Sequence, residues 1–126
     1  MLIKVKANYL WKTEKIIEHK VEKDVLILGY RNNVFSYLNK SLFFLLSSDW
    51  EDPGFVLVEA AASNKLILSS DVLSGPKEFL YNKNSGFLYE KDDFTDFKNK
   101  IKYILNNINS KEIYLKKVNA KKNSKK

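Results

Sequence analysis

No cysteine occurs in the 126 residues, which removes disulfide frameworks, thiolate zinc sites and thiol nucleophiles together. Histidine is almost as scarce. The one copy, His19, lies among charged residues, a setting that fits a solvated helix surface better than a ligand or a base. Zinc catalysis and histidine-dependent triads are therefore poor readings. The opening Met1-Leu-Ile-Lys-Val-Lys6 meets charge before any apolar core develops, so it does not read as a signal peptide. No uncharged stretch approaches the ~20 residues needed to span a bilayer. A cytoplasmic chain is expected, soluble or held peripherally at the inner face of the cell membrane.

What is present is a globular composition, with 44% hydrophobic and 13% aromatic residues. The length suits one hydrophobic core and is too short for two ordinary domains. The net charge of +7 is unevenly spread. From Lys116 to Lys126 no acid balances the lysines, so residues 116–126 read as a basic, disordered tail. A solvated end is the plain explanation. The sharper one is weak attachment to an anionic membrane surface or another polyanion. Nucleic acid is disfavoured, because lysines without interleaved aromatics or arginines attract phosphate but do not read bases.

From Lys23 onward, short apolar runs alternate with helical spacing. Val25–Gly29, Leu42–Leu46, Leu66–Leu68 and Gly86–Tyr89 read as strands. Between them, Asn33–Lys40, Gly54–Ser63 and Gly75–Leu80 read as helices, and a long amphipathic helix follows from Asp93. Strands apolar on both faces, alternating with helices, predict an α/β fold with a Rossmann-like, doubly wound parallel sheet. The first part, residues 1–23, is irregular, with room for a short strand and a helix through Leu10, Ile16 and Ile17. A main domain over residues 24–115 follows.

Glu51 and Glu59 bracket a loop that opens a helix directly after a strand. Such a junction presents backbone N–H groups to phosphate. Asp52 and Pro53 have the types of an N-cap and a first helical residue. Gly54, Phe55 and Val56 would then carry the donors of the first turn, where the macrodipole is positive. Glu59 falls three positions after Val56 and four after Phe55, on the same face, leaning toward the helix start. A carboxylate beside a phosphate must accept hydrogen bonds from hydroxyls, and a ribose supplies two. Glu51 can do the same for a sugar at the other end of a diphosphate. The spacing fits a nucleotide-sugar, although the two acids also fit plain dipole complementation or a surface glutamate. A glycosidase pair is the further alternative, but nothing shows both acids converging on one sugar.

Four segments together resemble the C-terminal domain of GT-B glycosyltransferases of family 4. They are Leu28-Gly29-Tyr30, the run from Ser47 to Ala60, Ser74-Gly75-Pro76-Lys77-Glu78 and Ser85-Gly86-Phe87-Leu88. The resemblance covers about residues 24–105 and implies the C-terminal half of a GT-B fold. It implies that Glu51 contacts the donor sugar at the reacting centre and that Glu59 binds the ribose. Amides at Gly54, Phe55 and Val56 would hold sugar or phosphate, with Gly29 and Tyr30 beside the base. Retention of anomeric configuration is implied, with a UDP- or GDP-linked donor and neither metal nor other cofactor. The expected setting is polysaccharide or lipopolysaccharide synthesis.

Some features depart from the family. Asp52-Pro53 replaces the usual Gly-Phe and places a further acid near the phosphate site. The chain is expected to lack the family's acceptor-binding domain and the arginine and lysine pair that neutralises the diphosphate. Catalysis is thus expected to require a separately encoded N-terminal GT-B domain. The alternatives are a non-catalytic nucleotide-sugar-binding module, a degenerate remnant, or a basic adaptor working through its lysines. Glu78 has a reading of its own, closing a capping box from the third position of a helix begun by Ser74 or Gly75.

Overall fold

A computed structural model describes residues 2–3, 9–47, 55–72, 75–80 and 84–125. These residues divide into two compact units, Met1–Ser41 and Leu42–Lys126. In the first unit, β1 (Leu2–Ile3) pairs in parallel with β2 (Leu26–Ile27), joined by α1 (Tyr9–Glu18). The unit closes with α2 (Val34–Lys40), whose Leu38 is buried. The expected strand at Val25–Gly29 is therefore present in shortened form. His19 is exposed just beyond α1, as a surface histidine should be.

In the second unit, β3 (Phe43–Leu46), β4 (Leu66–Ser70) and β5 (Phe87–Tyr89) form a parallel sheet in that order. The crossovers contain α3 (Phe55–Ala62) and α4 (Pro76–Phe79); α5 (Phe94–Asn106) and α6 (Lys111–Asn123) follow β5. This is the parallel α/β arrangement that the strand–helix alternation predicts. All five residues of β4 are buried, the pattern of a strand covered on both faces. Side chains alternate across the sheet. Leu66, Leu68, Phe87 and Tyr89 accordingly share one cluster with Ile104 of α5 and Ile113 of α6. In α3, Leu57, Ala60 and Ala61 are fully buried at i, i+3 and i+4, and the helix packs on β4 and α6. Alanines let these backbones approach closely.

Gly86 shows why the entry to β5 needs a residue without a side chain. A Cβ there would stand 2.7 Å from the Ile67 carbonyl oxygen, which is backbone and cannot step aside.

The disordered tail expected from residue 116 is not what forms. Residues 116–123 continue α6, begun at Ser110, whose Oγ accepts a hydrogen bond from Ile113 N. One side of the helix fastens the segment ahead of β5. Lys116 Nζ donates to the Gly86 carbonyl at 3.2 Å and lies over the Phe87 ring. Asn119 Nδ2 donates to the Asn84 carbonyl, and Asn123 Nδ2 to the Phe79 carbonyl and to Ser85 Oγ. Charge counting treats every lysine as solvated, and so overlooks polar side chains that satisfy a loop's carbonyls.

Candidate functional site

A helix that follows a parallel strand begins at that strand's carboxyl end. Topology therefore puts the start of α3 at the carboxyl edge of β3, β4 and β5, where open α/β sheets bind ligands. Phe55 opens α3 and is 69% exposed, while Val56 is half-buried. Glu59 is half-buried one turn further, on their side of the helix. Its carboxylate makes no hydrogen bond or ion pair among the described residues. A partly desolvated acid of this kind retains its capacity to accept from ligand hydroxyls. Glu51 and Gly54, with the Asp52-Pro53 cap, lie outside the described residues. The structure thus brings together Phe55, Val56 and Glu59.

Gly29 and Tyr30 belong to the first unit, at the carboxyl end of β2. Gly29 has φ 65°, a left-handed turn that a side chain would strain. The Tyr30 ring that follows is 87% exposed, so it is not spent on packing.

The sequence reading missed a cleft of about 320 Å³ at the carboxyl edge. Ser47 lines it from the end of β3, Ser70 from the end of β4 and Tyr89 from the end of β5. Lys91, Asp92 and Asp93 add charged groups, and Phe94 and Phe97 of α5 add aromatic walls. Tyr89 meets Phe97 edge-on at 5.0 Å between ring centroids. Of the acids, Asp93 is committed locally, because its Oδ1 accepts from Asp96 N as the N-cap of α5. Asp96 accepts in turn from Glu90 N and pairs with Lys100. The signal was available: every residue at the end of a parallel strand is a candidate by topology alone.

Beside this cleft, Lys77 pairs with Asp71 at 3.7 Å across the turn after β4. Glu78 occupies the third position of α4, as expected. Its N-cap is Gly75, however, which has no side chain to donate the other half of a capping box. Among the described residues no group of three or more histidine or acidic side chains gathers as a metal site. Nor is any helix among them long and apolar enough to cross a membrane.

The profile of the family described as glycosyl transferases group 1 matches residues 7–125. Over 97 residues the chain is 29% identical to a poly(ribitol-phosphate) alpha-N-acetylglucosaminyltransferase of Staphylococcus aureus, a match covering 76% of this chain and 20% of that protein. A second relative, from Campylobacter jejuni, is an N-acetylgalactosamine-N,N'-diacetylbacillosaminyl-diphospho-undecaprenol 4-alpha-N-acetylgalactosaminyltransferase. There the identity is 29% over 106 residues, covering 84% of this chain and 29% of the relative. Among solved structures, Anabaena HepE in complex with UDP-glucose superposes with a TM-score of 0.79 at 20% identity. That superposition spans 92% of this chain and 32% of HepE, and at such identity it speaks for the fold alone. The chain spans 20% and 29% of the lengths of these two curated relatives.

Proposed function

Because this chain belongs to the glycosyl transferases group 1 family, we propose that it is the donor-binding part of a retaining, nucleotide-sugar-dependent glycosyltransferase. The observation that carries the proposal is Glu59: a half-buried carboxylate without a partner among the described residues, on the helix that opens at the carboxyl edge. In this reading Glu59 accepts both ribose hydroxyls. The first-turn N–H groups at Gly54, Phe55 and Val56 take the diphosphate, Glu51 contacts the transferred sugar, and Gly29 and Tyr30 flank the base. Rate enhancement then comes from alignment of donor and acceptor and from stabilising charge on the departing diphosphate. No metal is required for this.

A UDP- or GDP-linked sugar is the donor in this reading; HepE, which shares the fold, was solved with UDP-glucose. The relatives' names favour an acceptor belonging to a cell-surface polymer or a lipid-linked sugar. We place the reaction in the cytoplasm. A second polypeptide supplying the N-terminal GT-B domain would complete the cleft. The alternative is a module that binds nucleotide-sugar without transferring it.

Calorimetric titration with UDP- and GDP-sugars tests the reading. Glu59→Ala should weaken binding by about 1.5–3 kcal/mol, the worth of hydrogen bonds to a charged group, with stability almost unchanged. Equal affinity in the variant would remove Glu59 from the site. Donor hydrolysis on adding a pulled-down partner would separate a transferase from a binding module.

A further inference from the structure

We propose that the outward face of α6 docks on an anionic phospholipid surface. From Phe97 to Lys126 the sequence holds ten lysines and one acid, Glu112, a net of +9 against +7 for the whole chain. Residues 1–96 therefore sum to −2, and the net positive charge of the molecule resides in residues 97–126. The single acid is itself engaged, accepting a hydrogen bond from the Tyr103 hydroxyl.

Folding sorts these lysines by face. Ile113 and Ala120, two turns apart, are fully buried against the body, and Lys116, Asn119 and Asn123 serve the segment ahead of β5. Lys111, Tyr114, Leu115 and Lys122 fall at i, i+3, i+4 and i+11, on the opposite side. Lys111 and Lys122 are exposed, Tyr114 is 60% exposed and Leu115 46%. A tyrosine and a leucine set between lysines match the two layers of a membrane interface. The ammonium groups reach lipid phosphates while their stems and the two larger side chains enter the acyl boundary. Exposed Lys98 and Lys102 of α5 add to the attractive field. No arginine lies in this region, so the bidentate base recognition typical of nucleic-acid readers is absent from it. A lipid surface fits better. This inference rests on charge and exposure, and not on the nucleotide-sugar reading.

Co-sedimentation of the full chain with phosphatidylglycerol–phosphatidylcholine vesicles provides the test, against pure phosphatidylcholine vesicles, at low and high salt. Binding is expected only with the anionic lipid, and it should fall steeply as salt rises. Lys111→Gln combined with Lys122→Gln should lower partitioning about tenfold or more. Tyr114→Ser with Leu115→Ser should lower it several-fold, most visibly at high salt. Glu59→Ala and Lys40→Gln should leave it unchanged, and circular dichroism would confirm that each variant is folded. Equal binding to the neutral vesicles, or wild-type partitioning by folded Lys111/Lys122 variants, would overturn the proposal. So would displacement from anionic vesicles by RNA at an equal phosphate concentration, which would assign this face to nucleic acid.

Discussion

Strands β4 and β2 carry similar leucine and isoleucine side chains, yet every residue of β4 is buried while Leu26 of β2 is 57% exposed. What differs is the surroundings. In β4, Leu68 has Leu45 of β3 on one side and Phe87 of β5 on the other, and helices pack nearby. Among the described residues, Leu26 of β2 pairs with Leu2 alone, in a ladder two residues long. Residue type proposes a strand, and neighbours on both edges decide how much apolar area leaves water. A paired comparison sharpens the point. Leu68→Ala should cost about 2–5 kcal/mol, because it removes transfer energy and leaves a cavity in a dense core. Leu26→Ala should stay within roughly 0.5 kcal/mol, as exposed substitutions usually do. Urea unfolding of both variants would measure this, and similar midpoints would erase the distinction between the two strands.

A second contrast lies within α6, between its inward and outward polar residues. Asn123 is bonded to the Phe79 carbonyl and to Ser85 Oγ, and Ser85 is 1% exposed. Removing the amide leaves buried groups unsatisfied, so Asn123→Ala should cost about 1–3 kcal/mol. Lys121, exposed on the same helix, should tolerate alanine within roughly 0.5 kcal/mol. Thermal unfolding distinguishes these outcomes. If the two variants melt together, the hydrogen bonds from α6 contribute nothing and a loosely held tail becomes the better description.

This helix also marks where the sequence stopped being legible. Strands β3, β4 and β5 and helices α3 and α5 were readable because apolar runs and helical spacing record directly which residues leave water. The family motifs then fixed the order of Glu59, Gly75 and Gly86 along the chain. Residues 116–123 gave no such signal, since their fastening is done by Lys116, Asn119 and Asn123, residues whose type suggests solvent. The cleft at Ser47, Ser70 and Tyr89 was missed for another reason, although topology marks each strand end as a candidate. Its walls come from three strands far apart in sequence, and only the parallel register brings their ends together. Glu59 was legible as a candidate because its position on a helix and its distance from a loop are both local.

The smallest expected effect concerns Glu112, the one acid of α6. Tyr103 donates its hydroxyl to Glu112, and that hydrogen bond, then partial burial and the nearby negative charge, raise the phenol above its ordinary value of 10.0. A raised folded value means that this contact stabilises the fold fully below pH ~10 and loses its effect as the phenol ionises above that. Spectrophotometric titration of the wild type against Tyr103→Phe should accordingly show a phenol step above the ordinary value that the variant lacks. Glu112→Gln should move that step to lower pH, whereas Tyr103→Phe should delete it while keeping the edge-on contact with Phe87. Because the group is exposed, stability should change little in either variant. The comparison with Asn123 then separates two kinds of polar contact on one pair of helices: one that holds a buried loop, and one at the surface that mainly alters a titration. A wild-type titration indistinguishable from that of Glu112→Gln would leave the α5–α6 junction without this contact.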